Sequence, residues 1–402
     1  MRQIRSVLEH AWAGPVQILP SIKANFVLAL RRILNREGTG CDCFGPSELH
    51  AALTTGVPPH LISVNGSSKD AGIIETAIAA GARITLDSPH EYELVVETAR
   101  RLNKRATIRL RLRPDYRELE QPSDFFPELS IRTAADHYKP GIPSSNVAEL
   151  GAQALAAPEV NLTGLMVHLG RHSARPEVWA SMARSFAELV ADLCTAWGGW
   201  RPRELDIGGG FPSPRDPTSP GQEHAPPLDQ TAGRAASSLR QRLQERGIDP
   251  SGITFEAEPG RALFADTGVH LTRVRNIKEQ TVPSPWRWVE TDTTEMFLAD
   301  LLVEHAHFRP VVASRANEPV STTSDIVGIS CGFDVLASQA ELPAVSVGDV
   351  IAFLDTGAYQ DAVAANFNAL PRPGTVLVSG ANARWIKRPE TIADVFARDI
   401  DE

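Results

Sequence analysis

Three short stretches carry residue types whose chemistry is complementary. Ser21-Ile22-Lys23-Ala24-Asn25 sets one lysine at the end of an apolar run, Val16 to Ile22, just before a helical pattern that starts at Phe26. An amine kept neutral in such a place can condense with a carbonyl group. Gly208-Gly209-Gly210 brings backbone N–H groups close to an anion, because no Cβ intervenes. Glu258-Pro259-Gly260-Arg261 adds a carboxylate, another glycine and a guanidinium able to make charge-assisted contacts. Each has a plainer reading in isolation: a surface lysine, a flexible turn, a carboxylate stabilised at a helix N-terminus.

The elements that must position these groups decide between the readings. Strand patterns occur at Val16–Ile22, Gly40–Cys43, Leu61–Val64, Arg83–Asp87, Thr107–Arg113, Leu162–Leu169, Glu204–Ile207 and Ile253–Ala257. Helical patterns alternate with them. Pro46 opens one, Asp70 caps another, Ser88-Pro89-His90-Glu91 forms a capping box for a third, and Asp229 caps a fourth that reaches Arg246. Residues 114–143 read as an irregular insertion, and the proline-loaded run 211–227 as a loop. Eight strand–helix units predict an α/β fold, a (β/α)8 TIM barrel, with its site at the C-terminal ends of the strands. Lys23, Arg111, His168, the glycine triplet and Glu258-Pro259-Gly260-Arg261 all fall at that end. Beyond Thr267 strands dominate: Val269–Arg275, Trp286–Glu290, Val311–Ser314, Asp349–Leu354 and Thr375–Ser379. The expected domains are therefore 13–266, the barrel, and 267–402, β-rich.

Barrels often hold phosphate at the loops after strands seven and eight, where the two glycine stretches lie. An amine for an aldehyde, a phosphate cradle and an acid for a ring nitrogen together describe pyridoxal 5'-phosphate. That cofactor is an electron sink whose strength depends on a protonated pyridine nitrogen, and Glu258 is the natural partner for it.

The sequence resembles the fold-type III pyridoxal-phosphate decarboxylases, the group of diaminopimelate and ornithine decarboxylases that shares its barrel with alanine racemase. The motifs run from Lys23 to Tyr359. By this resemblance Lys23 is the Schiff-base lysine, and His168 in Val167-His168-Leu169-Gly170 stacks on the cofactor ring. Gly208, Gly209, Gly210, Gly260 and Arg261 form the phosphate cradle, Glu258 meets the ring nitrogen, and Asp42 and Arg111 are supporting polar residues. Cys331, in Ser330-Cys331-Gly332-Phe333-Asp334, is implied to cross a dimer interface into the partner's site and return a proton to Cα after CO2 leaves. Tyr359, in Asp355-Thr356-Gly357-Ala358-Tyr359, is implied to reach the phosphate. The resemblance thus implies an amino-acid decarboxylase acting as a homodimer with shared sites. Alternatives are an amino-acid racemase on the same scaffold, for which the cysteine motif stands where a tyrosine is wanted, and a non-catalytic cofactor-binding homologue, which would not need both Lys23 and the phosphate loops.

Three departures narrow the expectation. Only a short helix precedes the first strand, where the family carries an earlier β-strand; either the chain starts late or this branch lacks the element. Arg171, with Ser173 nearby, replaces a phosphate-binding serine. In the substrate region Asp300 aligns with the arginine that holds the distal carboxylate of diaminopimelate, and Gly332 follows Cys331 where an acid is usual. These changes point to a specialised branch, in a biosynthetic pathway such as that of a secondary metabolite or siderophore.

Composition sets the outer bounds. Forty-two per cent apolar and 22% charged residues over 402 positions describe an ordinary globular protein. A net charge of −9 argues against a nucleic-acid partner. Four cysteines are too few and scattered for a disulfide framework, and Cys41-Asp42-Cys43 lacks a second ligand pair, so no metal is expected. No apolar run approaches membrane-spanning length and no signal-peptide core is present, so the cytoplasm is the expected location.

Overall fold

The computed structural model describes residues 1–123, 126–168, 170, 175–216 and 225–400. Arg171, Ser173 and the central part of the proline-rich run lie outside the described residues. The chain forms two compact units, one of Met1–Pro214 with Ala225–Leu263, the other built on the chain from Phe264 onward.

The first unit is the expected (β/α)8 barrel. Its strands are β1 (Val16–Ile18), β2 (Cys41–Cys43), β3 (Ile62–Val64), β4 (Arg83–Leu86), β5 (Ala106–Arg113), β6 (Val160–Met166), β7 (Glu204–Asp206) and β8 (Thr254–Ala257). All neighbours are parallel, in the order β1-β8-β7-β6-β5-β4-β3-β2. Among the described residues, β1 and β2 share no strand ladder; their seam is joined by an isolated bridge from Ser21 to Asp42, with Gly40 N–H donating to Ile18 O at 3.0 Å and Asp42 N–H to Pro20 O at 3.3 Å.

Local sequence explains most of the intervening helices. Pro46 begins α3 (Pro46–Thr55), and Gly56 ends it at φ +84°; these follow α1 (Arg2–Ala11) and α2 (Leu28–Arg36). Asp70 Oδ1 accepts from Ile73 N–H at 2.9 Å and starts α4 (Ala71–Ala80).

Two expected caps are corrected. Ser88 Oγ does accept from Glu91 N–H at the start of α5 (Pro89–Leu102). The Glu91 carboxylate, however, does not return to the Ser88 backbone. It accepts instead from Asp87 N–H, Lys69 N–H and Lys69 Nζ at 2.8, 3.0 and 2.8 Å. Lys69 is 5% exposed, and a buried ammonium has first claim on a nearby carboxylate. Asp229 makes no cap: Asp229–Gly233 is a wide turn, closed by Gly233 N–H to Leu228 O, that runs directly into the helix Arg234–Glu245. The expected irregular insertion also contains one helix, Ile131–His137.

The barrel interior is polar where a barrel core is usually aliphatic. Arg83 bridges Glu204 and Glu256 at 3.3 and 2.5 Å. Above it, fully buried Arg109 meets Asp206, Glu256 and Glu258 at 2.7, 2.7 and 3.2 Å. Gly164 in β6 makes room, since a Cβ there would lie 2.6 Å from the Glu204 side chain. The alternation in Thr107–Arg113 therefore points Arg109 inward.

The second unit carries a six-stranded sheet of β9 (Val269–Gln280), β10 (Trp286–Thr291), β11 (Pro310–Val312), β12 (Thr322–Val327), β13 (Val335–Leu342) and β14 (Val350–Leu354), in the order β11-β14-β9-β10-β12-β13. A separate hairpin joins β15 (Thr375–Ser379) and β16 (Asn382–Lys387). Val274, Val289, Leu298, Phe308, Ile326, Leu336, Ile351 and Phe353 form its core. β12, β13 and β16 escape the sequence reading because their polar content conceals the pairing. Thr322-Thr323-Ser324-Asp325 carries two buried polar side chains, and β16 is largely exposed.

Candidate active site

Lys23 sits in one tight helical turn, Ile22–Ala24, that leaves the end of β1. The helix expected from Phe26 begins at Leu28, and Val27 N–H is held by Asn25 Oδ1 at 3.2 Å. Lys23 Nζ lies 3.1 Å from both Ser21 Oγ and Asp42 Oδ2. Ser21 Oγ donates to the same carboxylate oxygen at 2.5 Å. Burial works to raise the Asp42 pKa, but the Lys23 charge and hydrogen bonds from Ser21, Lys23 and Asn65 outweigh it and hold the carboxyl below its ordinary value. Asp42 is thus a fixed anion that orients the amine.

Glu258 follows β8 directly and is 3% exposed. It accepts from Asn65 Nδ2 and from Arg109 Nη2. Burial raises its pKa well above the ordinary 4.5, and the charges of Asp206 and Asp42 add to the effect against the opposing pull of Arg109.

The glycine triplet follows β7. Gly208 N–H donates to Asp206 Oδ1 at 2.7 Å and Glu258 N–H to Gly208 O at 2.8 Å, which ties the two glycine-bearing loops together. Gly208 has φ +72°, and a Cβ on it would lie 2.6 Å from His168 Cδ2. A Cβ on Gly209 would lie 2.2 Å from Glu258 O. Gly210, at φ +93°, hands the chain to Phe211, which is buried against Trp179 with ring centroids 5.2 Å apart. His168 lies two residues beyond the end of β6, not within it. Its Nδ1 accepts from Gly170 N–H at 3.1 Å, which leaves Nε2 as the protonated ring nitrogen. Gly260 and Arg261 follow Glu258, and Arg261 is 5% exposed. Gly208→Ala is expected to lower cofactor affinity at least about tenfold and stability by about 1–3 kcal/mol, because both the backbone angle and the imidazole must move. Fluorescence titration with pyridoxal phosphate and thermal melts measure the two effects.

Arg111 lies in β5, 4.0 Å from Asp87. Arg109, two residues earlier and on the same face, is the arginine that meets Glu258; it and Asn65 were missed by the sequence reading. The available signal was parity: Arg109 and Arg111 share one face, and Asn65-Gly66 stands directly after β3.

Cys331 and Tyr359 belong to the second unit. Cys331 is exposed in the connection between β12 and β13, with its N–H on Asn368 Oδ1 at 2.9 Å and its thiol 3.4 Å from Asn368 Nδ2. Asp334 pins this connection by accepting from the N–H groups of Ser330 and Glu295 and from the Thr294 hydroxyl, at 2.6, 2.7 and 3.0 Å. Tyr359 has φ +68° and follows Gly357, whose N–H reaches Ala265 O at 2.9 Å. Asp355 is gripped by both Nε and Nη2 of Arg215, at 2.9 and 2.8 Å. Asp300 is 2% exposed, and its N–H faces Gln360 Oε1 at 3.3 Å.

The barrel mouth suits pyridoxal phosphate: a lysine amine, a buried acid and a glycine cradle that a single Cβ would obstruct. The family of pyridoxal-dependent decarboxylases, through its pyridoxal-binding domain, matches residues 1–265, and this chain belongs to it. The protein is a pyridoxal-phosphate-dependent carboxy-lyase that decarboxylates an amino acid. Among curated relatives it is similar to diaminopimelate decarboxylase of Archaeoglobus fulgidus, with 28% identity over 95% of this chain and 86% of that one. It is likewise similar to the diaminopimelate decarboxylase of Methanocaldococcus jannaschii, with 29% identity over 94% of this chain and 82% of that one. The M. jannaschii enzyme solved in co-complex with L-lysine superposes with a TM-score of 0.88 at 27% identity, covering all of this chain and 90% of that one. Among the described residues, no helix is long and apolar enough to cross a membrane.

Proposed function

We propose that this enzyme removes the α-carboxylate of an amino acid or amino-acid derivative other than diaminopimelate, in a specialised biosynthetic pathway, as a homodimer with shared sites. The observation that carries the site assignment is Lys23 Nζ held 3.1 Å from Asp42 Oδ2, while Asn65 joins Asp42 to Glu258. When bound, pyridoxal phosphate supplies the electron sink that accepts the pair left by departing CO2. Lys23 carries the cofactor, and Asp42 with Ser21 orients its amine and shares its proton. His168 packs on the ring, Arg111 supports the mouth, and Glu258 keeps the ring nitrogen protonated. Gly208, Gly209, Gly210, Gly260, Arg261 and Tyr359 hold the phosphate.

Cys331, donated by the partner subunit, returns a proton to Cα. Its exposure in the single chain, with a thiol in reach of an amide donor, supports this role. Asp300 in place of an arginine, and Gly332 in place of an acid, support a substrate without a distal carboxylate to be clamped.

The test is CO2 release over a panel of lysine, ornithine, arginine, diaminobutyrate and diaminopimelate with their D forms, with products identified by mass spectrometry. Full activity on meso-diaminopimelate would overturn the specialised substrate. The shared site has its own arm: an equal mixture of Lys23→Ala and Cys331→Ala chains, unfolded and refolded together, is expected to recover about one quarter of wild-type activity, because half the dimers carry one intact site. Activity no higher than the sum of the two variants alone would place Cys331 in its own subunit's chemistry or outside it.

A further inference from the structure

We infer that Asn65 is a positioning residue that moves the shared proton from Glu258 onto the cofactor's ring nitrogen. The inference rests on the reading of Glu258 as that nitrogen's partner. It starts from the hydrogen-bond inventory of one carboxamide. Asn65 is 3% exposed and stands at the end of β3, its own N–H fixed to Cys43 O at 2.8 Å. Its Nδ2 donates to two different acids, Asp42 Oδ1 at 2.7 Å and Glu258 Oε1. Its Oδ1 accepts from Ser63 Oγ, Thr85 Oγ1 and Arg109 Nη2 at 2.8, 2.6 and 3.0 Å. Both amide hydrogens and the oxygen are committed, and the reversed orientation would aim the carbonyl at two carboxylates. The carboxamide therefore has one available orientation.

The direction of its effect follows from which form of Glu258 it favours. Around that carboxyl stand Asp42 from β2, Asn65 after β3, Arg109 from β5 and Asp206 from β7. Burial and the two aspartates favour the neutral acid, whereas Arg109 and the Asn65 N–H favour the carboxylate. A ring nitrogen facing Glu258 shares one proton with it, as carboxyl and pyridine or as carboxylate and pyridinium. A donor fixed on the carboxylate form shifts that proton from the Glu258 oxygen to nitrogen, and only the pyridinium is a strong electron sink. The same amide orders Asp42, so the group that holds the Lys23 amine and the group that protonates the ring are set by one side chain. This explains a polar asparagine at a buried strand end, where a hydrophobic residue would pack at lower desolvation cost.

The experiment loads the full-length protein with pyridoxal phosphate labelled with 15N at the ring nitrogen and reads the chemical shift at neutral pH. Wild type is expected at the pyridinium end and Glu258→Gln at the unprotonated end. Asn65→Leu, which matches the volume without donors, is expected between them, with the neutral-ring fraction raised about tenfold and kcat lowered more than KM is raised. A loaded, folded Asn65→Leu with the wild-type shift overturns the inference. If that variant does not fold, Asn65→Ser, too short to reach both acids, decides by the same shift. A Glu258→Gln shift equal to wild type overturns instead the reading of Glu258 on which the inference stands.

Discussion

Lys23→Ala is expected to yield a folded chain on which borohydride fixes no cofactor and from which CO2 release falls by at least about a thousandfold. The size of the loss follows from the absence of a substitute. Among the described residues, Lys69, also in the barrel, is locked against Glu91 at 2.8 Å and is 5% exposed, so it cannot take over the carbonyl chemistry. The substitution also changes Asp42, which Lys23 helps to keep ionised. A carboxyl held below its ordinary value stabilises the fold above that value and loses the contribution as pH falls through the lowered one. The stability of the apoprotein below about pH 4 should therefore depend less on pH in Lys23→Ala than in wild type. Retention of a borohydride-fixed cofactor, mapped by peptide mass spectrometry, would move the reactive amine elsewhere.

Arg109→Leu has the largest expected effect on the fold itself. The guanidinium is fully buried and faces Asp206, Glu256 and Glu258 together, with Nε on Thr85 Oγ1 at 2.6 Å. Removing it leaves Asp206 and Glu258 buried without the guanidinium they share, and Glu256 with Arg83 alone, at a cost of about 3–5 kcal/mol. The pH dependence follows from the sign of the shifts. Burial raises the pKa of Glu256 and raises that of Glu258 further, both from an ordinary 4.5, while Arg109 opposes each shift. With Arg109 gone both rise more. The folded chain then holds protons that the unfolded chain has released, so stability falls as pH rises above about 4.5 and recovers on acidification toward it. Thermal midpoints of the apoprotein should accordingly differ most from wild type at pH 8 and least near pH 5. A pH-independent difference would mean that the guanidinium acts by packing alone.

How far these groups were legible from sequence depended on what each signal required. Lys23, Glu258 and the glycine triplet could be read because each stands just past an apolar run, and a barrel's strand ends are marked by those runs. Asp70 could be read as a cap because capping is a contact over three residues. Arg109 and Asn65 went unread for the opposite reason: the acids they meet lie 23 to 193 residues away, on or just beyond other strands. The barrel's polar interior reverses the ordinary sense of an alternating strand, so the pattern alone did not single out Arg109 beside Arg111 on the same face. Only half of the Ser88 capping box formed, because the Glu91 carboxylate turns to Lys69 and to Asp87 N–H rather than to the Ser88 backbone. In the second unit, β12 and β13 went unread because polar residues such as Ser324 and Asp325 are buried in the sheet, while the connection bearing Cys331 between them was recognised by its motif.

The seam between β1 and β2 gives the barrel an unequal hoop strength. Seven of its eight junctions are continuous ladders, while the eighth is fastened by Gly40, Asp42 and the Ser21 hydroxyl. The fastening runs from Ile18 to Ser21, two residues short of Lys23. Amide exchange at Gly40 and Asp42 is therefore expected to be faster than within the continuous ladders of the other strands, and it reads local opening beside Lys23. If Lys23 carries the cofactor, exchange at these two amides is expected to slow when pyridoxal phosphate is added, because a ligand that binds the joined seam stabilises it by mass action.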